Sequence, residues 1–160
     1  MEENALLERD AAELHRALSE LVRVYQFRDR DRICCHDVSV TQCYALDALV
    51  RRGALTLNAL AAELYLDKST ASRVVDGLER KGYVERRTHP EDRRALLLDL
   101  TSAGREVHGR IERDILEEEK ALLAEFPPEV RRSMARLIGG LARAAAARVD
   151  TTQGSCCRIG

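Results

Sequence analysis

The sequence predicts a mainly α-helical fold that carries one small β-hairpin. Apolar residues recur at alternating spacings of three and four over most of the chain, which is the pattern of amphipathic helices. One stretch departs from this pattern and has two short apolar runs on either side of a turn-rich segment, which is typical of a hairpin. With 160 residues, the chain is long enough for one ordinary domain with a hydrophobic core.

The first predicted helix covers about residues 4–28. Its apolar stripe consists of Leu7, Ala11, Leu14, Leu18, Leu21 and Tyr25. The segment Phe27–Arg32 has no such stripe, so we expect a polar connection there. It leads to Cys34-Cys35-His36, and the second predicted helix starts beyond it, with Thr41 as its N-cap and Gly53 as its end.

Two further short helices follow. One runs from Thr56 to about Leu64, and Asp67 then caps a helix that ends at Lys81-Gly82. The apolar face of this later helix consists of Val74, Val75 and Leu78. Three short helices so close together in the chain predict a compact helical unit.

The predicted hairpin has strands at residues 83–87 and 95–100, joined by the charged turn 88–94. Thr101 or Ser102 is expected to cap a fifth helix, which Pro127-Pro128 ends. A last amphipathic helix extends to about residue 148. Residues 151–160 form a tail that contains two cysteines.

Two short helices joined by a tight turn and followed by a hairpin form a winged helix-turn-helix. In this fold the second of the two helices enters the major groove of DNA. Its first turns carry hydroxyls and cations that suit base edges and phosphates, namely Lys68, Ser69, Thr70, Ser72 and Arg73. At the hairpin tip, Arg93 and Arg94 suit the minor groove or phosphates, with Asp92 placed to orient one guanidinium. Each element alone could equally be solvated surface, but their order and spacing favour DNA binding.

The charge distribution supports a DNA-binding surface in the middle of the chain. The whole chain has 26 basic and 27 acidic residues and a net charge of −1. Between Arg51 and Arg94, however, there are ten basic and seven acidic residues, a net of +3, so the remainder carries −4. The middle of the chain is therefore the part expected to face an anion.

Three segments resemble the MarR family of bacterial regulators, and the resemblance extends over about residues 5–148. They are Val40-Thr41-Gln42-Cys43-Tyr44-Ala45-Leu46, the continuous run from Asp67 to Val84, and Pro90-Glu91-Asp92-Arg93-Arg94 followed by Leu100-Thr101. The resemblance implies one domain over residues 1–150, with a winged helix-turn-helix at about 37–101. It also implies that helices at about 4–28 and 102–148 interleave with those of a second protomer. Such a homodimer would bind a pseudo-palindromic operator in double-stranded DNA, most often as a repressor.

The cysteines are where this chain departs from the ordinary family pattern. There are five, arranged as the pairs Cys34-Cys35 and Cys156-Cys157 and the single Cys43. Neither pair has the spacing of a zinc ribbon or a thioredoxin-like site. Adjacent thiols can nevertheless bind a soft effector such as arsenite, mercury, lead, cadmium or zinc.

Several ligand sets are open for such an effector. The tail pair could complete a site with the pair at Cys34-Cys35, with His36 as a further ligand. The resemblance to zinc-responsive members also makes Cys43 and His108 candidates. Metal binding would then change the spacing of the two recognition helices and release DNA. No cofactor is expected to be required for DNA binding itself.

Other effectors and roles compete with this hypothesis. Arg32 and His36 could lower the pKa of a neighbouring thiol and make it a sensor of oxidants. Cys43 could simply be a small core residue, and an organic ligand in the dimer cleft is also possible.

We do not expect this protein to be an enzyme. Cys35-His36 is the only nucleophile and base pair, and adjacent side chains seldom face each other. The sequence has no glycine-rich phosphate loop and no H-E-x-x-H motif. A pure protein-interaction module would not need both a basic helix face and an arginine-rich turn. Without a signal-peptide pattern or a long apolar run, we expect a cytoplasmic protein with no membrane contact.

Overall fold

The computed structural model describes residues 2–91 and 95–152. Over these residues there are six helices and three strands. The helices are α1 (Glu2–Cys34), α2 (Val40–Arg52), α3 (Leu57–Glu63), α4 (Lys68–Arg80), α5 (Ser102–Ala124) and α6 (Pro128–Thr152). The strands are β1 (Leu55–Thr56), β2 (Val84–Thr88) and β3 (Leu96–Leu100). The mainly helical fold with a small hairpin is confirmed.

The first helix is longer than the sequence predicted. The polar connection expected at Phe27–Arg32 is wrong, because α1 continues through this segment to Cys34. Charged residues near this point have partners close by in the same helix. The guanidinium of Arg28 lies 3.9 Å from the centre of the Tyr25 ring. It also forms an ion pair with Asp29 at 2.8 Å. Ile33, next to the end of the helix, is only 2% exposed. Burial of this one apolar residue stabilises the last turn in place of a continuous stripe.

The N-cap of α2 is Ser39, so the prediction of Thr41 is wrong. The Ser39 hydroxyl accepts a hydrogen bond from the Gln42 backbone N–H at 3.2 Å. In return the Gln42 side-chain oxygen accepts from the Ser39 backbone N–H at 3.1 Å. This reciprocal pair is a capping box, which satisfies two backbone donors at once, whereas Thr41 lies two residues too late to do so, as the second residue of the helix. Gly53 ends the helix as predicted, with a φ of 78°.

The helix predicted to start at Thr56 begins one residue later, at Leu57, with Thr56 as its N-cap. The Thr56 hydroxyl accepts from the Ala59 backbone N–H at 3.2 Å. The other predicted caps are confirmed. Asp67 is the N-cap of α4, and the hydroxyl of Thr101 accepts from the Gly104 N–H at 3.0 Å at the start of α5.

The three strands form an antiparallel sheet in the order β1-β3-β2. The hairpin of β2 and β3 pairs Val84 with Leu100 and Thr88 with Leu96, and its strand ends lie within one residue of the predicted ones. Strand β1 was not predicted. It has two residues, with Leu55 opposite Leu98, and is too short to show an alternating pattern.

The hydrophobic core joins the helix-turn-helix, the sheet and the first half of α5. Its largest fully buried side chains are Ile33, Leu46, Leu49, Leu60, Val75, Leu78, Leu98, Val107 and Ile111. Each of the three strands and each of α2 to α5 contributes to this cluster or packs against it. The DNA-facing elements of the prediction are therefore fixed on one rigid base.

The structure divides into two compact units, Met1–Ile115 and Leu116–Gly160. The second contains the end of α5 and all of α6, which starts at a proline as helices often do. Here the Arg131 guanidinium donates to the backbone carbonyl of Phe126 at 2.6 Å. Leu137 and Ile138 on α6 are 70% and 56% exposed. No helix in the described segments is both long and apolar enough to cross a membrane.

Candidate nucleic-acid interface

The face of α4 that the sequence assigned to DNA points outward in its first two turns. Lys68, Ser69 and Arg73 are exposed, while Thr70 and Ser72 are half-buried. The opposite face consists of the buried residues Ala71, Val75, Gly77 and Leu78. The helix therefore has the two-sided character that a helix docked in the major groove requires.

Asp67 organises the start of this helix. Its carboxylate accepts from the Thr70 backbone N–H at 2.9 Å and from the Thr70 hydroxyl at 2.6 Å. The Ser69 hydroxyl also donates to it, at 2.7 Å. These hydrogen bonds, those from Thr70 first, hold the pKa of Asp67 well below its usual range. The proposed DNA face thus begins with a charged, firmly ordered cap.

Two of the three hydroxyls expected to contact DNA, those of Ser69 and Thr70, are engaged in this cap. In addition to its bond to Asp67, the Thr70 hydroxyl accepts from the Arg73 guanidinium at 3.3 Å. Ser69 and Thr70 therefore retain only acceptor capacity for a base or a bridging water. Ser72 is half-buried and next to the core face. Lys68 and Arg73 are the residues of this set with charge to offer a phosphate.

These two cations differ from the two arginines at the end of α2. Within residues 2–91 and 95–152, neither Lys68 nor Arg73 forms an ion pair with a carboxylate. By contrast, Arg51 and Arg52 at the end of α2 both pair with Glu63, each at 3.3 Å. The exposed charge of α4 is thus not neutralised by carboxylates in the described part of the protein, and it is available to an anion.

The hairpin stands next to α4, but its tip falls in the gap between the described segments. Asp92, Arg93 and Arg94 lie outside the described residues, so their predicted contacts to the minor groove remain a prediction. The last described pair at the tip is closed by a hydrogen bond from the His89 N–H to the Ala95 carbonyl at 3.0 Å.

Sequence reasoning missed the residue that joins the hairpin to α4. The Arg86 guanidinium on β2 lies 2.7 Å from Asp76 and 2.8 Å from Glu79, both on α4. The available signal was weak: two carboxylates three residues apart on the helix, and an arginine on the following strand. Arg86 is one of the cations counted toward the positive middle segment, but it serves the fold and not an external anion.

The described cysteines lie in two different environments. Cys34 and Cys35 are free and exposed at the end of α1, whereas Cys43 is free and buried in α2. Burial, then the nearby carboxylates of Asp47 and Asp29, raises the pKa of the Cys43 thiol to about 11. Cys43 is the core residue that the sequence left open as an alternative, and it is poorly suited to act as a thiolate. Cys156 and Cys157 lie outside the described residues.

The two histidines considered as ligands are engaged with carboxylates. His36 Nε2 lies 2.8 Å from Asp114 of α5, and the buried His108 lies 3.4 Å from Asp47 of α2. Over residues 2–91 and 95–152, no three His, Cys, Asp or Glu side chains are grouped so that they could hold a metal ion. The ligand set built on Cys43 and His108 is therefore not assembled in the described part of the protein.

A cleft of about 450 Å³ lies between α1 and α2. Its lining residues are Val22, Tyr25, Gln26, Asp29, Val40 and Tyr44. Two aromatic rings, apolar stems and a single carboxylate form the kind of lining that suits a small organic molecule.

Comparison with known proteins agrees with this architecture. A family model described as the MarR family matches residues 36–95, the segment that holds the helix-turn-helix and the first strand of the hairpin, β2. An HTH-type transcriptional regulator of Mycobacterium bovis, Mb0904, is 32% identical over 131 residues, which covers 80% of this chain and 89% of that protein. A second regulator, ML2140 of Mycobacterium leprae, is 33% identical over 97 residues, or 61% of this chain and 65% of that protein.

Solved structures show the same fold. A MarR family protein from Bacillus stearothermophilus superposes with a TM-score of 0.79 at 25% sequence identity. The match covers 86% of this chain and 96% of that one. These relatives are transcription regulators and not enzymes, in agreement with the exclusion of an enzyme from the sequence.

Proposed function

This chain belongs to the MarR family of transcriptional regulators, and from that premise we propose that it is a homodimeric repressor whose operator binding is released at exposed cysteines. The observation that carries the DNA-binding part is the outer face of α4. There Lys68 and Arg73 are exposed and unpaired with carboxylates within the described segments, at the start of a helix whose other face is buried. Such a helix can enter the major groove without unfolding any part of the core.

The assembly as a homodimer is supported by unburied apolar surface on the terminal helices. On α1, Leu6, Leu7 and Phe27 are 55%, 66% and 58% exposed. On α6, Leu137 and Ile138 are likewise exposed. Apolar stripes of this kind need a covering surface, and a second copy of the chain provides one by symmetry. Two copies would present two α4 helices to two operator half-sites. A regulator must reach the chromosome, so we place the protein in the cytoplasm.

The effector proposed here is a soft metal or metalloid bound by Cys34 and Cys35. Both thiols are exposed at the turn between α1 and α2, where thiophilic ions such as arsenite, mercury, lead, cadmium or zinc could reach them. Cys43 is not included, because its buried thiol is hard to ionise. The pair at Cys156 and Cys157 is the source proposed for further sulfur ligands.

Two alternative effectors follow from other features of the same region. Exposed thiols can also be oxidised, which would make the turn a sensor of peroxide. The cleft lined by Tyr25 and Tyr44 would instead favour a small aromatic ligand. A cysteine-dependent enzyme is not retained, because the relatives are regulators.

One titration separates these effectors. Reduced protein is bound to an operator selected from a random duplex pool, and release is followed as arsenite, each metal and peroxide are added in turn. The proposal expects release by a soft ion from the wild type and from Cys43→Ala, but not from Cys34→Ser or Cys35→Ser. Release by peroxide alone would replace the metal hypothesis with thiol oxidation. No release by any of them would contradict both and leave the organic ligand.

A further inference from the structure

The far end of α4 is attached to the turn between α1 and α2. Lys81, the C-cap residue of α4, donates a hydrogen bond through its ammonium group to the backbone carbonyl of Asp37. The same ammonium lies 3.2 Å from the side-chain oxygen of Gln42. Asp37 holds a left-handed φ of 57°, a conformation that glycine, asparagine and aspartate adopt more readily than other residues. Lys81 thus binds to the turn at its left-handed residue.

Gln42 performs two tasks with one side-chain amide. Its oxygen accepts from the Ser39 backbone N–H as part of the α2 capping box, and it also accepts from Lys81. Its nitrogen lies against α4 at Gly77, where an added Cβ atom would be 2.5 Å away. A Cβ atom at position 77 would therefore push the flexible Gln42 amide aside, and with it the oxygen that accepts from Ser39 and Lys81.

These contacts bring together three elements at one point: the turn before α2, the first turn of α2, and the C-terminal half of α4. We propose that Gln42 and Lys81 are positioning residues for operator recognition, which fix the angle of α4 through this polar clamp (Asp37, Gln42, Gly77 and Lys81). The inference rests on the proposed DNA binding, and it assigns a role to residues that contact no DNA in that proposal. Because Cys34 ends α1 and Cys35 begins the same turn, an effector bound there would act on α4 through the clamp.

Lys81 is better suited to this role than to phosphate binding. An ammonium has three donors and no acceptor, and Lys81 already directs donors to the Asp37 carbonyl and the Gln42 oxygen. Its side chain is only 28% exposed. It also follows the end of a 13-residue helix, about 20 Å from the DNA-facing start of α4 at a rise of about 1.5 Å per residue.

The test compares Lys81→Met, Gln42→Leu and Gly77→Ala in the full-length dimer. Lys120→Met is the matched control, because Lys120 is an exposed lysine on α5 and its loss removes the same charge. Binding is measured for the selected operator and for a random duplex over a series of salt concentrations. The clamp predicts that all three variants lower the ratio of operator to random-DNA affinity by about tenfold, with random-DNA affinity and its salt slope unchanged. Lys120→Met should leave the ratio as in the wild type.

Two outcomes of this binding comparison would overturn the inference. Equal losses of operator and random-DNA affinity for Lys81→Met, with a salt slope reduced by about one, would make Lys81 a phosphate contact. A wild-type ratio of operator to random-DNA affinity in all three variants would show that the clamp has no role in operator recognition. In addition, the double variant Gln42→Leu/Lys81→Met should lose little more than either single variant, whereas additive losses would show that the two residues act separately.

A second readout does not depend on DNA. Residual dipolar couplings of the α4 amides, referred to those of α2, report the angle between the two helices in the free protein. The clamp predicts a changed angle in the three variants and an unchanged one in Lys120→Met. If the wild type bound no operator, the proposed function would fail, and these couplings would still decide whether the clamp positions α4. An unchanged angle in all variants would overturn it.

Discussion

The guanidinium of Arg86 on β2 lies 2.7 Å from the carboxylate of Asp76 on α4. A second carboxylate of the same helix, that of Glu79, lies 2.8 Å from it. One arginine thereby joins the base of the hairpin to the back of the helix proposed to read DNA. The proposed interface has two parts, a helix and a hairpin, and Arg86 is the charged contact that holds them in one relative position.

We expect Arg86→Met to destabilise the fold by about 1 kcal/mol. The three side chains are between 30% and 46% exposed, so solvent screens the pairs and the loss is smaller than for a buried network. The substitution also leaves Asp76 and Glu79 as neighbouring like charges on one helix, which adds to the loss. Denaturant unfolding at a fixed protomer concentration measures the change.

Arg110→Met is the matched control for this prediction. Arg110 pairs with Glu106 on the exposed surface of α5, at 2.9 Å and within a single helix. Its replacement should change the free energy of unfolding by less than about 0.5 kcal/mol. Equal effects from both substitutions would show that the contact between β2 and α4 is an ordinary surface ion pair.

Gly104→Ala should be strongly destabilising. A Cβ atom at Gly104 would lie 2.0 Å from the backbone carbonyl oxygen of Tyr83, and backbone atoms cannot move aside as a flexible side chain can. The same Tyr83 carbonyl accepts a hydrogen bond from the Thr101 N–H at 3.1 Å, so moving it also disturbs the start of α5. We expect a loss of about 2 to 4 kcal/mol in the free energy of unfolding.

Gly109→Ala, in the same helix, should instead raise the free energy of unfolding. A Cβ atom there would meet only the Arg113 guanidinium at 3.6 Å, which is ordinary contact. Since alanine favours helices over glycine, the variant should gain up to about 1 kcal/mol. A comparable loss in both variants would mean that close contact with Tyr83 is not what requires glycine at position 104.

Cys43 should make stability depend on pH in the alkaline range. Folding raises the pKa of its thiol from 9.0 to about 11, chiefly through burial. The folded state thus holds this proton more tightly than the unfolded state does. The resulting stability is fully present below about pH 9 and is lost as the pH rises toward about 11, by up to about 3 kcal/mol.

The difference between the wild type and Cys43→Ala isolates this effect from other groups that titrate in the same range. The wild type should lose more stability than the variant between pH 8.5 and pH 11 in thermal unfolding. The same pH dependence of stability in the wild type and in Cys43→Ala would contradict the prediction. Thiol labelling at pH 7.5 gives a second check, because Cys34 and Cys35 should react at once and Cys43 only after unfolding.

The sequence predicted helix ends well where they depend on interactions between residues close together in the chain. Asp67 and Gly53 act on backbone groups within a few residues, and such effects can be read directly from neighbouring positions. The capping box at Ser39 was also local and could have been found from Ser39 and Gln42, three residues apart. The extension of α1 to Cys34 could not be read this way, since it depends on burial of Ile33 among residues distant in the chain.

The candidate site was predicted less completely than the fold. Composition and order identified the exposed cations of α4, because a helix face is defined by spacing along one element. The contacts of Arg86 with Asp76 and of Gln42 with Gly77 join separate elements, and spacing gives no information on which side chains meet there. The division of the cysteines into exposed and buried ones likewise depends on tertiary packing, which places Cys43 in the core.

Whether the outer face of α4 binds operator DNA is decided by the operator affinity of Arg73→Ala. Fluorescence anisotropy with the selected operator and a random duplex, over a salt series, compares this variant with wild type and with Arg110→Ala. We expect Arg73→Ala to weaken operator binding by about tenfold to a hundredfold, while Arg110→Ala binds as the wild type does. Wild-type operator affinity and salt dependence in Arg73→Ala would show that this exposed cation of α4 contacts no DNA, and the proposed DNA interface would then be wrong.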